Sequence, residues 1–223
     1  PEAWSLRWYR NMIGDCSAEV VSSTVPCSTK WMKGTVNSFY IGIIATFIAT
    51  VLGTMAALGL SRPHMPYKAL IMSILISPMI VPLIITAAGM FFFYARINLV
   101  YTFTGVILAH VALATPFVVI TVTATLVGFD MNMVKAAQSL GAKPMRTFFK
   151  VIMPLILPGI ISGALFAFIT SFDEVVIVMF MASIDQLTIP KQMWAGIRQE
   201  ISPVILCMAT CLVILSIVLL TTV

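Results

Sequence analysis

The chain has 223 residues, of which 60% are hydrophobic and 9% are charged, with 13 Lys/Arg and 8 Asp/Glu. Soluble globular domains carry about 25% charged residues, so this composition excludes that class. The charges are also unevenly spread, because none occurs within 35–61, 69–95, 97–129, 151–172, 175–184 or 201–223. Apolar stretches therefore alternate with polar connectors, which indicates a polytopic membrane protein.

A helix needs about 20 apolar residues to cross the hydrocarbon core of a bilayer. The windows predict five such spans, at about 35–60, 69–95, 101–128, 154–182 and 203–223. Strands of a membrane barrel would alternate polar and apolar residues over about 10 positions. No such alternation occurs here, so the sequence predicts an all-α fold.

Residues 1–34 are of mixed polarity and lack the pattern of a signal peptide. We expect an external segment there that follows at least one earlier span, with the transmembrane domain covering 35–223. Cys16 and Cys27 lie in this segment, and they are either free thiols or a disulfide, depending on whether the segment faces an oxidising compartment. Cys207 and Cys211 are interpreted as unpaired thiols of the last span.

Several function classes are excluded by the same sequence. The net charge of +5 does not indicate nucleic-acid binding, because the basic residues are scattered among short connectors. The spans contain no nucleophile–base pair that would indicate an intramembrane enzyme. We expect no metal site, since His64 and His110 are remote from the cysteines and from each other.

The connector 130–150, DMNMVKAAQSLGAKPMRTFFK, is too polar to span a membrane and too regular to be unstructured. Good helix formers run from Met131 to Leu140 and stop at Gly141, which suits a helix C-cap. Pro144 suits the first turn of a second short helix. The pattern predicts a helix–glycine–helix segment at the membrane surface. Its exposed side chains would include Gln138, Ser139, Lys143 and Arg146. The segment is either a solvated amphipathic connector or a docking site for another protein.

This connector resembles the EAA signature of ABC-importer permeases. Ala136-Ala137, Gly141, Val151 and Met153-Pro154 match the spacing of that signature, whereas its Glu position is Lys135 in this chain. Longer stretches resemble the spermidine/putrescine-type permeases. These are HVALATPFVVITVTATLVGFD at 110–130, SFDEVVIVMF at 171–180, LTIPKQMW at 187–194, EISP at 200–203 and EAWSLRWY at 2–9. The resemblance covers nearly the whole chain.

The resemblance implies a type I importer permease fold of six spans, of which this chain would hold five. It also implies a multi-pass location in the bacterial inner membrane, with 130–150 on the cytoplasmic side as a coupling loop that inserts into an ATP-binding subunit. The density of Lys and Arg in 62–68 and 130–150 agrees with that orientation. The implied ATPase-coupling residues are Lys135, Ala136, Ala137, Gln138, Gly141, Lys143, Arg146 and Pro154.

The implied partners are a second permease chain, usually a related one in a heterodimer, two ATP-binding subunits and a periplasmic solute-binding protein, besides membrane lipid. The chain itself would be no enzyme and would bind no cofactor, with ATP and Mg on the partner subunits. A Walker-type phosphate loop is absent, because the dipeptide Gly-Lys never occurs in the sequence.

Asp173 and Glu174 are the only full charges within a predicted span. Each costs about 2.5–3.5 kcal/mol at a helix centre on insertion scales. Either neighbouring Ser/Thr groups and water satisfy the pair, or the pair attracts a cation. A polyamine would need carboxylates for its ammonium groups and aromatic faces for its stem. The candidate pathway residues are Asp173, Glu174, Thr170, Phe166, Phe172, Tyr40 and Trp194.

Two functions of different classes are open at this point. The resemblance implies the permease subunit of an ATP-driven importer for a small cationic solute, with a polyamine such as putrescine or spermidine favoured and other amines or opine-like solutes open. The alternative is an ion- or proton-coupled carrier or channel that uses Asp173 and Glu174 as its coupling site. Such a carrier has no need for an Ala-Ala-x3-Gly docking loop, and this feature distinguishes the two.

Overall fold

The computed structural model describes residues 6–14, 29–62, 65–128, 130, 132–199 and 202–221. Within these ranges every regular element is a helix. The helices are α1 (Arg7–Met12), α2 (Lys30–Leu60), α3 (Lys68–Ile80), α4 (Leu83–Arg96), α5 (Phe103–Val127), α6 (Asn132–Ser139), α7 (Pro144–Thr147), α8 (Met153–Phe172), α9 (Val176–Met181), α10 (Ile189–Gln199) and α11 (Pro203–Thr221). A π-helical turn, Phe148–Ile152, joins α7 to α8.

Three helical stretches in the described residues are long and apolar enough to cross a membrane: α2, α5 and the run Pro144–Phe172. The bent pair of α3 and α4 adds a fourth crossing if it forms one span, and α11 contributes a shorter apolar helix. Apolar helix thus occurs in each of the five predicted spans. Two of those ranges, 69–95 and 154–182, each hold two helices and not one continuous helix.

Helices α2, α5 and α8 pack on one another and form the centre of the fold. Small residues allow this close approach. Gly53 of α2 and Gly163 of α8 both face Val118 of α5, and a Cβ on Gly53 would lie 2.6 Å from the Cβ of Val118. That separation is too short for two carbon atoms, so a side chain at Gly53 would force α2 away from α5.

The pair α3–α4 lies at the periphery of this core. The two helices meet at 104° around Val81-Pro82. Proline has no N–H to continue a helical ladder and disfavours helical backbone in the residue before it. Val81 is accordingly extended, with φ −70° and ψ 135°. No residue of α3 is buried, and Ala87 is the single buried residue of α4.

A smaller cluster joins the start of α2 to α10 and α11. Its buried members are Trp31, Ile189, Val204, Ile205 and Met208. The short helix α9 packs on α4 and α5, and its buried residues Ile177, Val178 and Met181 belong to the main core. The break between α8 and α9 therefore lies where several helices meet.

Candidate functional site

The two acidic residues of the predicted span lie at the break between α8 and α9. Helix α8 ends at Phe172, and Asp173 is its C-cap, with φ −88° and ψ 0°. Helix α9 begins three residues later, at Val176. The buried Ser171, two residues before Asp173, hydrogen-bonds the Nδ1 atom of His110 on α5 at 2.8 Å. This bond ties the end of α8 to the core.

Asp173 is exposed, in contrast to its neighbour. Within the part of the chain that the structure describes, its carboxylate forms no hydrogen bond and no ion pair. It lines two concave surfaces, one of about 430 Å³ and one of about 240 Å³. A carboxylate without a partner that borders two cavities is available to a cation.

The larger cavity opens beside α4. Its lining residues are Leu83, Ile169, Thr170, Asp173, Glu174, Val175 and Val176. The smaller cavity lies between α8, α10 and α11. Its lining residues are Phe168, Ile169, Phe172, Asp173, Pro190, Leu212, Leu215 and Ser216. Two predicted pathway residues besides the acidic pair, Thr170 and Phe172, are thus brought to Asp173.

Glu174 lies in a different environment although it follows Asp173 directly. It is 7% exposed. Its Oε1 atom accepts a hydrogen bond of 2.9 Å from the backbone N–H of Ile177, in the first turn of α9. The side chain thus satisfies a backbone donor that the start of a helix leaves without a partner.

The predicted aromatic residues do not all reach this site. Phe172 packs against Phe39 and Phe168, with ring centroids 5.1 and 5.3 Å away. Tyr40 packs edge-on against Phe103 and lines neither cavity that borders Asp173. The other two aromatic candidates, Trp194 and Phe166, also contact side chains of this chain.

Trp194 lies on α10, where the guanidinium of Arg198 is 5.0 Å from its ring centroid. Its ring therefore already contacts a cation of the same chain. Phe166 stacks on Phe117 at 6.5 Å and lines neither cavity that borders Asp173. Among the predicted aromatic candidates, Phe172 lines one of these two cavities of the described residues together with Asp173.

Lys191 is a functional candidate that sequence reasoning missed. Its Nζ atom donates to the carbonyl oxygens of Val178 at 3.3 Å and Ala182 at 2.8 Å, at the end of α9. Burial lowers the pKa of Lys191 below its usual value. Neighbouring threonine, proline and glutamine residues gave no signal of this contact in the sequence.

The loop that follows α9 is fastened to α2. The Nδ2 atom of Asn37 donates to the carbonyl oxygens of Asp185 at 2.8 Å and Leu187 at 2.9 Å. The Oγ atom of Ser38 accepts from the N–H of Ile189 at 2.9 Å. An ion pair of 2.9 Å between Lys33 and Asp185 lies at the surface of the same junction.

The connector 130–150 forms the predicted helix–glycine–helix. Gly141 has φ +79°, the left-handed conformation that glycine adopts without cost. Its N–H bonds the carbonyl of Gln138 at 2.9 Å, and the N–H of Ala142 bonds the carbonyl of Ala137 at 3.0 Å. This is the Schellman arrangement of a helix C-cap, so the predicted cap is confirmed. Pro144 occupies the first turn of α7, as predicted.

The coupling candidates in this connector are mostly exposed. The exposed ones are Lys135, Ala136, Gln138, Gly141, Lys143, Arg146 and, at the start of α8, Pro154, while Ala137 is half-buried. Large apolar side chains are exposed beside them, with Leu140 at 89% and Met145 at 70%. Exposed apolar side chains together with exposed basic ones on a short connector are typical of a surface that contacts another protein.

No group of metal-ligating side chains occurs among the residues that the structure describes. Cys207 is buried and Cys211 is half-buried, and both are free thiols. Cys16, Cys27 and His64 lie outside the described residues.

Several known proteins are similar to this chain. The family model described as binding-protein-dependent transport system inner membrane component matches residues 49–223. The chain is 29% identical over 188 residues to the spermidine/putrescine transport system permease protein PotC of Haemophilus influenzae, covering 84% of this chain and 73% of that protein. It is also 29% identical over 214 residues to the putrescine transport system permease protein PotI of Escherichia coli, covering 93% and 72%.

A solved structure shows the same fold. The chain matches the MetNI methionine ABC transporter in inward-facing conformations with a TM-score of 0.67 at 20% identity, covering 86% of this chain and 91% of that one. At this identity the likeness concerns the fold alone. The fold class predicted from the sequence is thereby confirmed.

Proposed function

We propose that this chain, which belongs to the family of binding-protein-dependent transport system inner membrane components, moves a polyamine across the membrane. Members of the family are multi-pass inner-membrane permease subunits of ABC importers, and they are not catalytic enzymes. The substrate, the partner chains and the roles of single residues in this chain are our proposals.

The observation that carries the polyamine proposal is the exposed, unpaired carboxylate of Asp173 at the break between α8 and α9. A carboxylate at membrane depth is costly unless a charge or polar group compensates it. An ammonium group at Asp173 would provide that compensation. Thr170 would offer a hydroxyl in the larger cavity, and Phe172 would offer an aromatic face for the alkyl stem in the smaller one. The similarity to PotC and PotI supports the same chemical class.

The coupling proposal concerns the connector 130–150. We assign docking on an ATP-binding subunit to the exposed surface of α6, Gly141 and α7, which includes the basic residues Lys135, Lys143 and Arg146. A Cβ added at Gly141 would meet nothing of this chain within 4 Å, so this position faces outward. Two such subunits would hold ATP and Mg, and a second, related permease chain would complete the pathway. A solute-binding protein would deliver the solute from outside.

The ion- or proton-coupled carrier is the weaker candidate. It would explain the two carboxylates, but it has no use for an exposed helix–glycine–helix on a basic connector. Family membership favours the importer as well. We therefore assign no coupling-ion site to Asp173 and Glu174.

The cognate solute-binding protein provides the substrate test. Its thermal unfolding is measured with putrescine, spermidine, a neutral disaccharide and methionine. We expect the polyamines alone to raise the midpoint, since a ligand at 100 times its Kd stabilises a protein by about 2.7 kcal/mol. Stabilisation by the disaccharide or methionine and not by polyamines would overturn the substrate proposal, while the permease assignment would stand.

A further inference from the structure

The short helix α9 is held at its start by an acidic side chain and at its end by a basic side chain. At its start, the Oε1 atom of Glu174 accepts from the N–H of Ile177 at 2.9 Å. At its end, the Nζ atom of Lys191 donates to the carbonyls of Val178 and Ala182. Glu174 and Lys191 are 17 positions apart in the sequence, yet both serve the same six-residue helix.

A helix of this length requires such partners. Isolated helices shorter than about 12–15 residues are marginal even in water. Each helix end leaves up to four backbone groups without partners, and the membrane interior offers no water to satisfy them. Three of the six side chains of α9, those of Ile177, Val178 and Met181, are fully buried. The end contacts of Glu174 and Lys191 therefore act on a helix that is locked into the core.

The adjacent Asp173 has the opposite properties. It is exposed, borders both cavities, and forms no hydrogen bond within the described residues. Glu174 also lines the larger cavity, but it is 7% exposed and its Oε1 atom is engaged with the backbone N–H of Ile177. The two carboxylates thus differ in what they are free to bind.

We propose that Glu174 is a positioning residue that holds α9 together with Lys191, and that Asp173 alone presents its carboxylate to the solute. The role of Asp173 rests on the proposed function, whereas that of Glu174 does not. By fixing the start of α9, Glu174 keeps Val175 and Val176 in the wall of the larger cavity. It also fixes where α8 stops, and with it the direction of Asp173.

The test uses the assembled transporter in lipid nanodiscs and proteoliposomes, with Glu174→Gln, Glu174→Ala and Asp173→Asn compared with wild type. Hydrogen–deuterium exchange is followed in the segment 175–182, and ATP-driven putrescine uptake is measured in parallel. The amide oxygen of Gln can accept the hydrogen bond from the N–H of Ile177. We therefore expect Glu174→Gln to keep the wild-type protection of 175–182 from exchange, with putrescine uptake within about twofold of wild type. In Glu174→Ala we expect hydrogen–deuterium exchange in 175–182 to be about tenfold faster, which is the scale of a lost helix cap. We also expect this variant to lose putrescine uptake. Asp173→Asn keeps the protection and loses uptake.

Two results would overturn the proposal. Loss of uptake in Glu174→Gln with unchanged exchange would assign Glu174 to the solute. Unchanged exchange in Glu174→Ala would remove the positioning role. If the Ala variant does not assemble, Lys191→Met tests the other end, because it retains the aliphatic stem and removes the donor. We expect faster exchange in 175–182, and wild-type exchange in Lys191→Met would contradict the account.

Failure of the polyamine proposal would look different. In that case wild type itself would show no putrescine uptake, while the exchange results for Glu174 and Lys191 would be unaffected. The two proposals are therefore tested separately by one set of variants.

Discussion

Asp173 and Glu174 show how two adjacent carboxylates acquire different environments. The exposed Asp173 ends α8, whereas the buried Glu174 turns back to the first turn of α9. The sequence predicted that the pair is exceptional, because no other full charge falls in a predicted span. It did not predict which residue is free, since no Gly or Pro near 173–175 indicates that the helix stops there.

The aromatic candidates were harder to predict from the sequence. Tyr40 and Trp194 are compatible with a cation pathway by residue type alone. In the structure Phe103 packs against Tyr40, and the guanidinium of Arg198 lies over the ring of Trp194. Such contacts depend on tertiary packing, which single-residue chemistry does not specify.

At the residue scale, the contacts that fasten the loop after α9 differ in strength. Asn37 donates two hydrogen bonds from a buried position, so Asn37→Ala should lower the free energy of unfolding by about 1–3 kcal/mol. Lys33 pairs with Asp185, and the two side chains are 50% and 76% exposed, respectively. Lys33→Ala should therefore lower the free energy of unfolding by less than about 1 kcal/mol. Thermal unfolding of the purified complex in nanodiscs ranks the two. An equal or larger effect of Lys33→Ala would contradict this ranking.

At the scale of elements, the connector 130–150 was the most predictable part of the chain. Its helix stop at Gly141 and its helix start at Pro144 depend on local backbone preferences, and the structure has both. Prolines inside spans were less informative. Pro78, Pro116 and Pro158 lie within helices, whereas Pro82 stands at a sharp bend. Surrounding packing decides between a tolerated proline and a break.

The docking proposal is tested at Gly141. Gly141→Ala introduces the strain of left-handed backbone, about 1–2 kcal/mol, with little added bulk. Gly141→Arg introduces the same strain and a long side chain on the outward surface. We expect the Ala variant to retain a large part of ATP-driven uptake and the Arg variant to lose about tenfold or more, the scale of a central interface contact. Co-purification of the ATP-binding subunit measures docking directly.

The two Gly141 variants also separate docking from folding. Equal losses in both would point to the strained cap and not to the interface. Wild-type uptake by Gly141→Arg, with the ATP-binding subunit still bound, would contradict the docking proposal.

On the scale of the whole molecule, composition predicted the class and the comparisons confirm the family. The close packing of α2, α5 and α8 around Gly53, Gly163 and Val118 was not predicted, because apolar residues are spread around these helices and mark no single buried face. The peripheral position of α3–α4 and the separation of α8 from α9 were not predicted either. Periodicity distinguishes helix faces poorly when both lipid and protein neighbours are apolar.

The distribution of charge connects the two proposed sites. Four basic residues, Lys135, Lys143, Arg146 and Lys150, lie in the connector that we propose to dock on an ATP-binding subunit, and the two acidic residues lie at the α8–α9 break. Helix α8 runs from one to the other, since the π-helical turn continues the connector into α8 without a loop. A single helical stretch, Pro144–Phe172, therefore joins the proposed docking surface to the break that carries Asp173.

Uptake of radiolabelled putrescine by proteoliposomes is the most direct test of the central claim. The complete transporter is reconstituted with its solute-binding protein, with and without internal ATP, as wild type and as Asp173→Asn. We predict ATP-dependent uptake by wild type and a loss of about tenfold or more in Asp173→Asn, the scale of a lost bond to a charged group. Equal uptake by the two proteins, or no putrescine uptake by wild type with a loaded binding protein, would contradict the account.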